Sequence, residues 1–483
     1  MLSKEDVIYL SSFGVSEKQV DEQIEILKKN DSFVEIIRPA TIGDGIVQLN
    51  EFYNSLAKDT ELPDKEKTTL KVQKFVPASG AATRMFNRLI KYVNNPTEEN
   101  FTEGDFYSVK NTIDNIEKFA FADKIDTNSL PLKIAEQILF SCLNYIDCPK
   151  GLIDFHKYND KPVTPFEEHI SQGNKLLVNC PIPVHFTISE QYQTRFSQVL
   201  FNIKNKYNSD ITFSYQKNNT NTVAIDENGD LVRDTEGNIL LRPGGHGSLI
   251  QNLNELNSDL VFISNIDNVR IKNTEDTTIL YRKILCGILL YVHYNMKGFL
   301  SQLCTNDDII KQKLELIKHI SKEFSLNLNT DAEYIEIKEL LGRPIRVCGM
   351  VKNTGEPGGG PFWVKDKNGN ETLQIVEKSQ INLKDSLQKA IFEKSTHFNP
   401  VDIICKITDF EGNKLDLNKF VDKNTAFISE KTYNGKNIRV LEHPGLWNGA
   451  MADWITIFVE IPIECFNPVK ELNDLLKIEH QQN

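Results

Sequence analysis

Short runs rich in Val, Ile, Leu and Phe recur along this chain with helix-patterned stretches between them, and that alternation limits the fold more than any other feature. The runs are Leu70–Val76, Leu152–Phe155, Leu176–Asn179, Val184–Ser189, Asp210–Tyr215, Leu260–Ile266, Ile345–Val351 and Ile455–Ile461. Ser16 and Gln19 make a capping-box pattern ahead of Val20, Ile24 and Leu27. Ser129 stands where it would cap a helix over Ser129–Ile146, with Pro131 in its first turn. Further helices are expected at Val47–Leu56, within 277–326 and at Val469–Leu476. Strands alternating with helices pair in parallel and bury both faces. The expected fold class is therefore α/β, a mostly parallel mixed sheet with helices on both faces. The stretch from Ala224 to Gly245 adds a hairpin, with turn signals at Asn228-Gly229 and Glu236-Gly237.

The 483 residues carry 55 Lys+Arg against 67 Asp+Glu, a net charge of −12, which gives no overall pull toward nucleic acid or an anionic membrane. The longest apolar run, Ile284–Val292, is about half the ~18 residues a membrane span needs. The first residues turn charged at once and show no signal-peptide pattern. Eight scattered cysteines form no CxxC pair, so buried free thiols in a reducing compartment are the expectation. The chain is expected to be soluble and cytoplasmic, without nucleic-acid or membrane partners. Its oligomeric state stays open.

Four constellations carry chemistry. Pro77–Met85 reads as a strand ending in small residues that opens into a helix, so that backbone N–H groups approach a phosphate and Arg84 adds a forked cation. The alternative is a tight turn with a surface arginine. Pro149-Lys150-Gly151 sets a lysine on a fixed turn, where it either faces a cleft or is solvated. Arg242–Leu249 holds three glycines in four positions around His246, which suits close approach of a flat ligand or, equally, a turn at a helix start. Leu260–Asn268 is an apolar strand ending abruptly in Asn265, Asp267 and Asn268. In an open α/β sheet, ligands sit beyond the carboxyl ends of strands, and an Asp there suits Mg²⁺ with its phosphates. Asx-turn chemistry that simply ends the strand is the alternative.

Other motifs read more blandly. No GxSxG, HExxH or GxxxxGK[ST] occurs. Glu356–Pro361 is glycine-rich without the Lys-Ser/Thr of a phosphate loop and is expected to be a turn near the site, with a mobile loop as the blander alternative. His293, in an apolar run, is expected to be a packed histidine. His185 and Thr187 either line the cleft or end a strand. Trp447 and Trp454 are expected in the core, and Glu167-Glu168-His169 is ordinary charge at a helix start.

Taken in order, SGAATRM at 79–85, PKGLI at 149–153, GGHG at 244–247, FISNIDN at 262–268, WNGAMADW at 447–454 and FNPVKELNDLL at 466–476 resemble the UDP-sugar pyrophosphorylases. These are nucleotidyltransferases of glycosyltransferase-A-like fold, and the pattern looks like a separate bacterial branch whose glycine loop has Ser79 and Ala82 where glycines are usual. The resemblance implies that Ser79, Gly80, Ala81, Ala82 and Thr83 cradle the triphosphate, with Arg84 on the phosphates. It implies Lys150 facing the α-phosphate, and Gly245, His246 and Gly247 beside base and ribose. It implies Asp267 holding Mg²⁺ with Asn268 beside it, and Lys470 touching the phosphates or the sugar phosphate. Glu377 and Asn448 are expected toward the sugar.

The implied organisation is a helical N-terminal extension at 1–66, a catalytic domain at 67–395 with a helical insertion at 88–148, and a C-terminal α/β portion at 396–483 that completes the site. The implied reaction joins a nucleoside triphosphate, with UTP expected, to a sugar 1-phosphate with loss of pyrophosphate. Two alternatives stand beside it: a glycosyltransferase using a nucleotide-sugar, and a non-catalytic protein binding nucleotide or sugar phosphate.

Overall fold

A computed structural model describes residues 2–29, 33–59, 70–96, 102–177, 181–302, 318, 321–324, 334–355, 358–366 and 369–482. Of the expected linker Lys58–Lys67, only Lys58 and Asp59 are described, as a helix end. Val178 and Asn179 of the expected strand, and Glu356 and Pro357 of the glycine-rich turn, also lie outside the described residues.

Among the described residues, the core is a nine-stranded sheet. In spatial order its strands are Thr41–Ile42, Gly45–Val47, Ile455–Glu460, Ile345–Met350, Asp402–Lys406, Leu260–Ser264, Val72–Pro77, Val184–Thr187 and Ile211–Ser214. All neighbours are parallel except at Asp402–Lys406, which is antiparallel to both flanking strands. This is the mostly parallel mixed sheet expected, with one inserted reversal. Leu260–Ser264, Asp402–Lys406 and Ile345–Met350 are buried along their whole length, as central strands covered on both faces must be.

Alternation along Leu260–Ser264 divides the core. Leu260 and Phe262 pack with Leu285 and Leu289 of the helix Asp276–Gln302, whereas Val261 and Ile263 pack with Leu253 and Trp454 on the opposite face. Gly287 lets that long helix cross the helix Glu51–Asp59, because a Cβ there would lie 2.3 Å from the Leu56 carbonyl oxygen. Among the described residues, no helix is long and apolar enough to cross a membrane.

Two smaller sheets flank the core. Ile36–Pro39, Gly360–Lys365 and Glu371–Val376 form one. Leu241–Arg242, Thr222–Asp226, Lys436–Glu442 and Phe427–Tyr433 form the other, against which the helix Glu17–Lys29 buries Val20 and Leu27. The capping box at Ser16 and Gln19 is present. The N-terminal segment therefore supplies two helices and then strands at 36–47, which enter both the central and a flanking sheet.

Several local expectations change. Ser129 bonds Asp126, and the helix starts at Pro131 behind Leu130. Leu152–Phe155 is no strand: a 3₁₀ turn at Lys150–Leu152 leads to the hairpin His156–Tyr158 and Lys161–Val163. Residues 469–476 form only the 3₁₀ turn Leu472–Leu476.

The chain order places a ligand crevice. From Val72–Pro77 the chain steps one way, to Val184–Thr187 and Ile211–Ser214, then returns to Leu260–Ser264 on the other side of Val72–Pro77. Their carboxyl ends flank a topological switch point, where the loops diverge and leave space for a ligand.

Candidate active site

The loop after Val72–Pro77 lies beside the Pro149-Lys150 turn. Ala81 bridges Pro149, the Lys150 N–H donates to the Gly80 carbonyl at 3.2 Å, and the Ala82 N–H donates to the Cys148 carbonyl at 3.2 Å. Ser79 is tied by its carbonyl to the Ser189 hydroxyl at 3.0 Å. Gly80 is exposed, and a Cβ on it would meet nothing within 4 Å. The Ala82 methyl points the other way, buried with Met85, Phe86 and Leu89, so the substituted glycine adds bulk to the core rather than to the loop surface. Thr83–Phe86 form a turn and the helix opens only at Asn87, which removes its N-terminus from the glycine, contrary to expectation. Arg84 is exposed and lines a groove of about 190 Å³ together with Glu471 and Leu472.

Beyond Leu260–Ser264, Asp267 meets Lys150, Nζ to Oδ2 2.8 Å, with the two side chains 18% and 21% exposed. Gly151 packs on Ile266, where a Cβ would come within 3.2 Å. Asn268 turns inward, donating to the Cys465 carbonyl at 3.1 Å and accepting from the Asn467 N–H at 2.7 Å. Its amide thus holds the tail segment 465–469 and has no end turned to a ligand. The Val469 N–H donates to the Asp267 carbonyl at 3.2 Å, which delivers Lys470 beside Asp267. The Lys470 ammonium lies over the rings of Phe398 and Phe466, 5.3 and 5.6 Å from their centroids.

A second run of contacts leads away from Phe398. Its neighbour Asn399 donates to Glu377 at 2.8 Å, and Asn448 donates to the Ile375 carbonyl at 3.0 Å. Burial raises the Glu377 pKa, opposed by hydrogen bonds from Asn399, the Gly359 backbone and Asn448. The Oδ1 atoms of Asn399 and Asn448 are buried without a partner among the described residues, leaving unspent acceptors in this corner. Gly445 touches both Asn448 and His246, whose ring tilts against Trp447 at 5.2 Å.

The Gly244–Gly247 glycines serve the chain itself. A Cβ on Gly244 would lie 2.4 Å from the Thr220 carbonyl oxygen, and one on Gly247 would lie 2.1 Å from that of Pro444. Gly245 adopts φ +75° with Glu442 against its Cα. The structure thus brings Ser79–Ala82, Lys150, Asp267, Asn268 and Lys470 into one continuous set of contacts, whereas Thr83 and Arg84 follow on an exposed turn, with Arg84 lining the groove beside Glu471 and Leu472. Glu377, Asn448 and His246 belong to a second set that joins it at Lys470, and Gly245 and Gly247 lie behind that second set.

A polar floor below Asp267 went unread in the sequence. His169 Nε2 donates to the carbonyls of Asn265 and Ile266 at 3.1 and 3.2 Å, fully buried. Burial, then Lys74 and Arg282, push its pKa well below the ordinary value, so it is a neutral donor. Gln172 Oε1 accepts from both Lys74 (2.9 Å) and Arg282 (2.7 Å), while Asp402 accepts from Ser264 Oγ (2.6 Å) and forms an ion pair with Arg282 (Nε to Oδ1 2.9 Å). The one sequence signal was Lys74, a charge inside the strand Val72–Pro77. His185, bonded to Thr212 and Ser214, and His293, stacked on Phe410, are packed residues. Trp454 is buried in the core with Trp447 packed against it.

The residues fit magnesium as a nucleotide-bound ion. Asp267 offers one carboxylate at the crevice, and among the described residues no group of three His, Cys, Asp or Glu could hold a metal by itself. Mg²⁺ takes one or two carboxylates and fills its other positions with phosphate and water.

The family model described as "Domain of unknown function (DUF4301)" matches residues 3–481. No curated protein matches the chain. Among solved structures, the uridine diphosphate N-acetylglucosamine pyrophosphorylase of Trypanosoma brucei, in complex with an inhibitor, is similar at 11% identity and TM-score 0.51, over 98% of this chain and 79% of that one. A point mutant of Leishmania major UDP-glucose pyrophosphorylase in complex with UDP-glucose matches at 14% identity and TM-score 0.46, over 99% and 79% of the two chains. A Trypanosoma brucei UDP-glucose phosphorylase matches at 14% and 0.48, over 98% and 77%. The likeness to the first of these is one of fold: a nucleotidyltransferase-like α/β sheet.

Proposed function

The chain belongs to the DUF4301 family, and from its fold and its crevice we propose that it is a Mg²⁺-dependent nucleotidyltransferase, joining a nucleoside triphosphate, with UTP the expected donor, to a sugar 1-phosphate. The observation that carries the reading is the gathering of the Gly80 loop, Lys150, Asp267 and Lys470 at the switch point. Those are the groups that transfer to an anionic acceptor needs, and a nucleophilic serine or general base is not among them.

A sugar 1-phosphate brings its own anionic oxygen. That oxygen bonds to the α-phosphorus, the α–β bridging bond breaks, and pyrophosphate leaves with the electron pair, so no proton need move. The protein's task is in-line positioning and neutralisation of charge. In this reading the open face of Gly80 admits the phosphates, Arg84 and Lys150 face them, and Lys470 holds the acceptor phosphate from its aromatic seat. Glu377, Asn399 and Asn448 offer acceptors to sugar hydroxyls. Asp267 would hold the magnesium, which when bound neutralises charge on the triphosphate.

The test is pyrophosphate release by the purified protein with Mg²⁺, across four nucleoside triphosphates and a panel of sugar 1-phosphates. Release that requires one nucleotide and one acceptor, and falls by at least about a hundredfold in Asp267→Ala and Lys150→Ala, is the expected result. Activity that survives both substitutions overturns the reading. Turnover of UDP-sugars without pyrophosphate would favour a glycosyltransferase, and nucleotide binding without turnover a sensor.

A further inference from the structure

Two residues given opposite partners in the proposed reaction are each other's partner in the chain itself. Lys150, assigned to the α-phosphate, closes a 2.8 Å ion pair with Asp267, assigned to the metal. Neither side chain makes another hydrogen bond among the described residues. The backbones on both sides are fixed. The Lys150 turn is pinned to the Gly80 carbonyl, and Asp267 is held between the Val469 N–H and the His169 clamp on Asn265 and Ile266. What is free to move is the four-carbon lysine stem, in a space about one-fifth open to solvent.

We propose that this pair is an exchange switch, resting on the reading above: Lys150 occupies the Asp267 carboxylate until a divalent cation and a triphosphate arrive together. A divalent cation alone must displace the ammonium and leave it without a counter-charge. A triphosphate alone meets a lysine already committed to a carboxylate, and displaces it only by exposing its own charge to bare Asp267. The cation–triphosphate complex satisfies both at once, cation to Asp267 and phosphate to Lys150. Each component therefore tightens the binding of the other by the same factor, as linkage requires. The switch makes the crevice select the metal-bound nucleotide as one unit.

The experiment uses the full chain with Mn²⁺ as the probe, its free signal followed by electron paramagnetic resonance, and UTP followed by calorimetry. Melting temperatures of each variant without ligands confirm folding. Lys150→Met is expected to tighten Mn²⁺ alone about tenfold, because the carboxylate is released, and to weaken Mn²⁺–UTP about tenfold, because the phosphate partner is lost. Lys150→Arg, which retains a cation, should keep both affinities close to the parent's. Opposite signs are the signature, since loss of local structure would weaken both. If Lys150→Met leaves Mn²⁺ alone unchanged or weaker, while Asp267→Asn abolishes Mn²⁺–UTP binding, the exchange is wrong and the nucleotidyltransferase reading stands. If Asp267→Asn binds Mn²⁺ and Mn²⁺–UTP as the parent does, both fall.

Discussion

A methyl group added to Gly80 meets nothing within 4 Å, whereas one added to Gly244 would collide with the Thr220 carbonyl and with His443, both at 2.4 Å. The two glycines look alike in sequence and do different work. Gly80→Ala is expected to leave the melting temperature unchanged or slightly raised, since it removes backbone freedom worth about 0.4–1 kcal/mol from the unfolded chain. Its effect should fall on the nucleotide, with KM raised several-fold as the phosphate approach narrows. Gly244→Ala should destabilise the fold by roughly 1–3 kcal/mol through overpacking. Calorimetry and steady-state kinetics on the two variants check this, and a Gly80→Ala chain that melts early with unaltered KM would reverse the assignment. The sequence could suggest that these glycines mattered, but not to what. The partners of Gly244–Gly247 are the Thr220 carbonyl and the segment 442–444, the latter about two hundred residues later, so no local window contains all the collisions. Asp267 was legible because it follows a long apolar strand, and Lys150 because Pro149 fixes the turn that carries it. His169 was not, because its work depends on the carbonyls of Asn265 and Ile266 lying above it.

Elements behaved likewise. Strands with a long apolar run were readable, and so were the Asn228-Gly229 and Glu236-Gly237 turns, where Asp226 and Asp234 accept from N–H groups two and four residues ahead. Asp402–Lys406 escaped, with only Ile403, Ile404 and Cys405 between two charged residues whose burial becomes tolerable through Ser264, Arg282 and Thr408. The insertion at 88–148 shows what it does only in contact. It clasps the tail that carries Lys470, through Ser108 and Thr112 on Asn473, Arg88 on Glu471 and Lys118 on Gln481. The end of that tail is fastened by His480 Nδ1 at 3.0 Å from His156 Nε2, whose other nitrogen meets Glu168 at 2.7 Å. Burial and His156 lower the His480 pKa from 6.5 to about 3, with Lys477 and Arg270 adding to this and Asp474 opposing. The docked tail therefore holds fewer protons than the released one. Docking is at full strength above pH 6.5 and weakens as pH falls toward 3, by at most about 1.4 kcal/mol per pH unit. Hydrogen exchange of residues 466–482, normalised for intrinsic rates, should rise between about pH 7.5 and about pH 5.5, and His480→Gln should flatten that rise. A tail equally protected at both pH values would show that His480 does not govern its docking.

At the scale of the whole molecule, the central sheet is assembled out of chain order, and this bears on how the site is held. Gly45–Val47 pairs with Ile455–Glu460 from the other end of the sequence, and Asp402–Lys406 lies between Leu260–Ser264 and Ile345–Met350. The sequence divisions at 66 and 395 therefore fall between segments that share one sheet. Removing 396–483 would take away two central strands, and with them the Asp402 carboxylate that ties Ser264, at the lip of the crevice, to Arg282 beneath it. A chain ending at 395 would expose both flanking strands and leave Arg282 buried without its counter-charge, a loss of several kcal/mol against a total stability of only about 5–15 kcal/mol. It should fail to give a cooperative melting transition. The intact chain should melt in one step, with circular dichroism and tryptophan fluorescence coincident, since Trp363, Trp447 and Trp454 all pack into the cluster that includes Val261 and Ile263. The same construction explains why lysines at 150 and 470 and an aspartate at 267 can keep one geometry: each is carried by a loop whose roots lie in, or are bonded to, a single sheet. Two separated transitions, or a folded 1–395 fragment that still binds nucleotide, would show instead that the crevice belongs to an independent N-terminal unit, and that the tail is added to a site already formed.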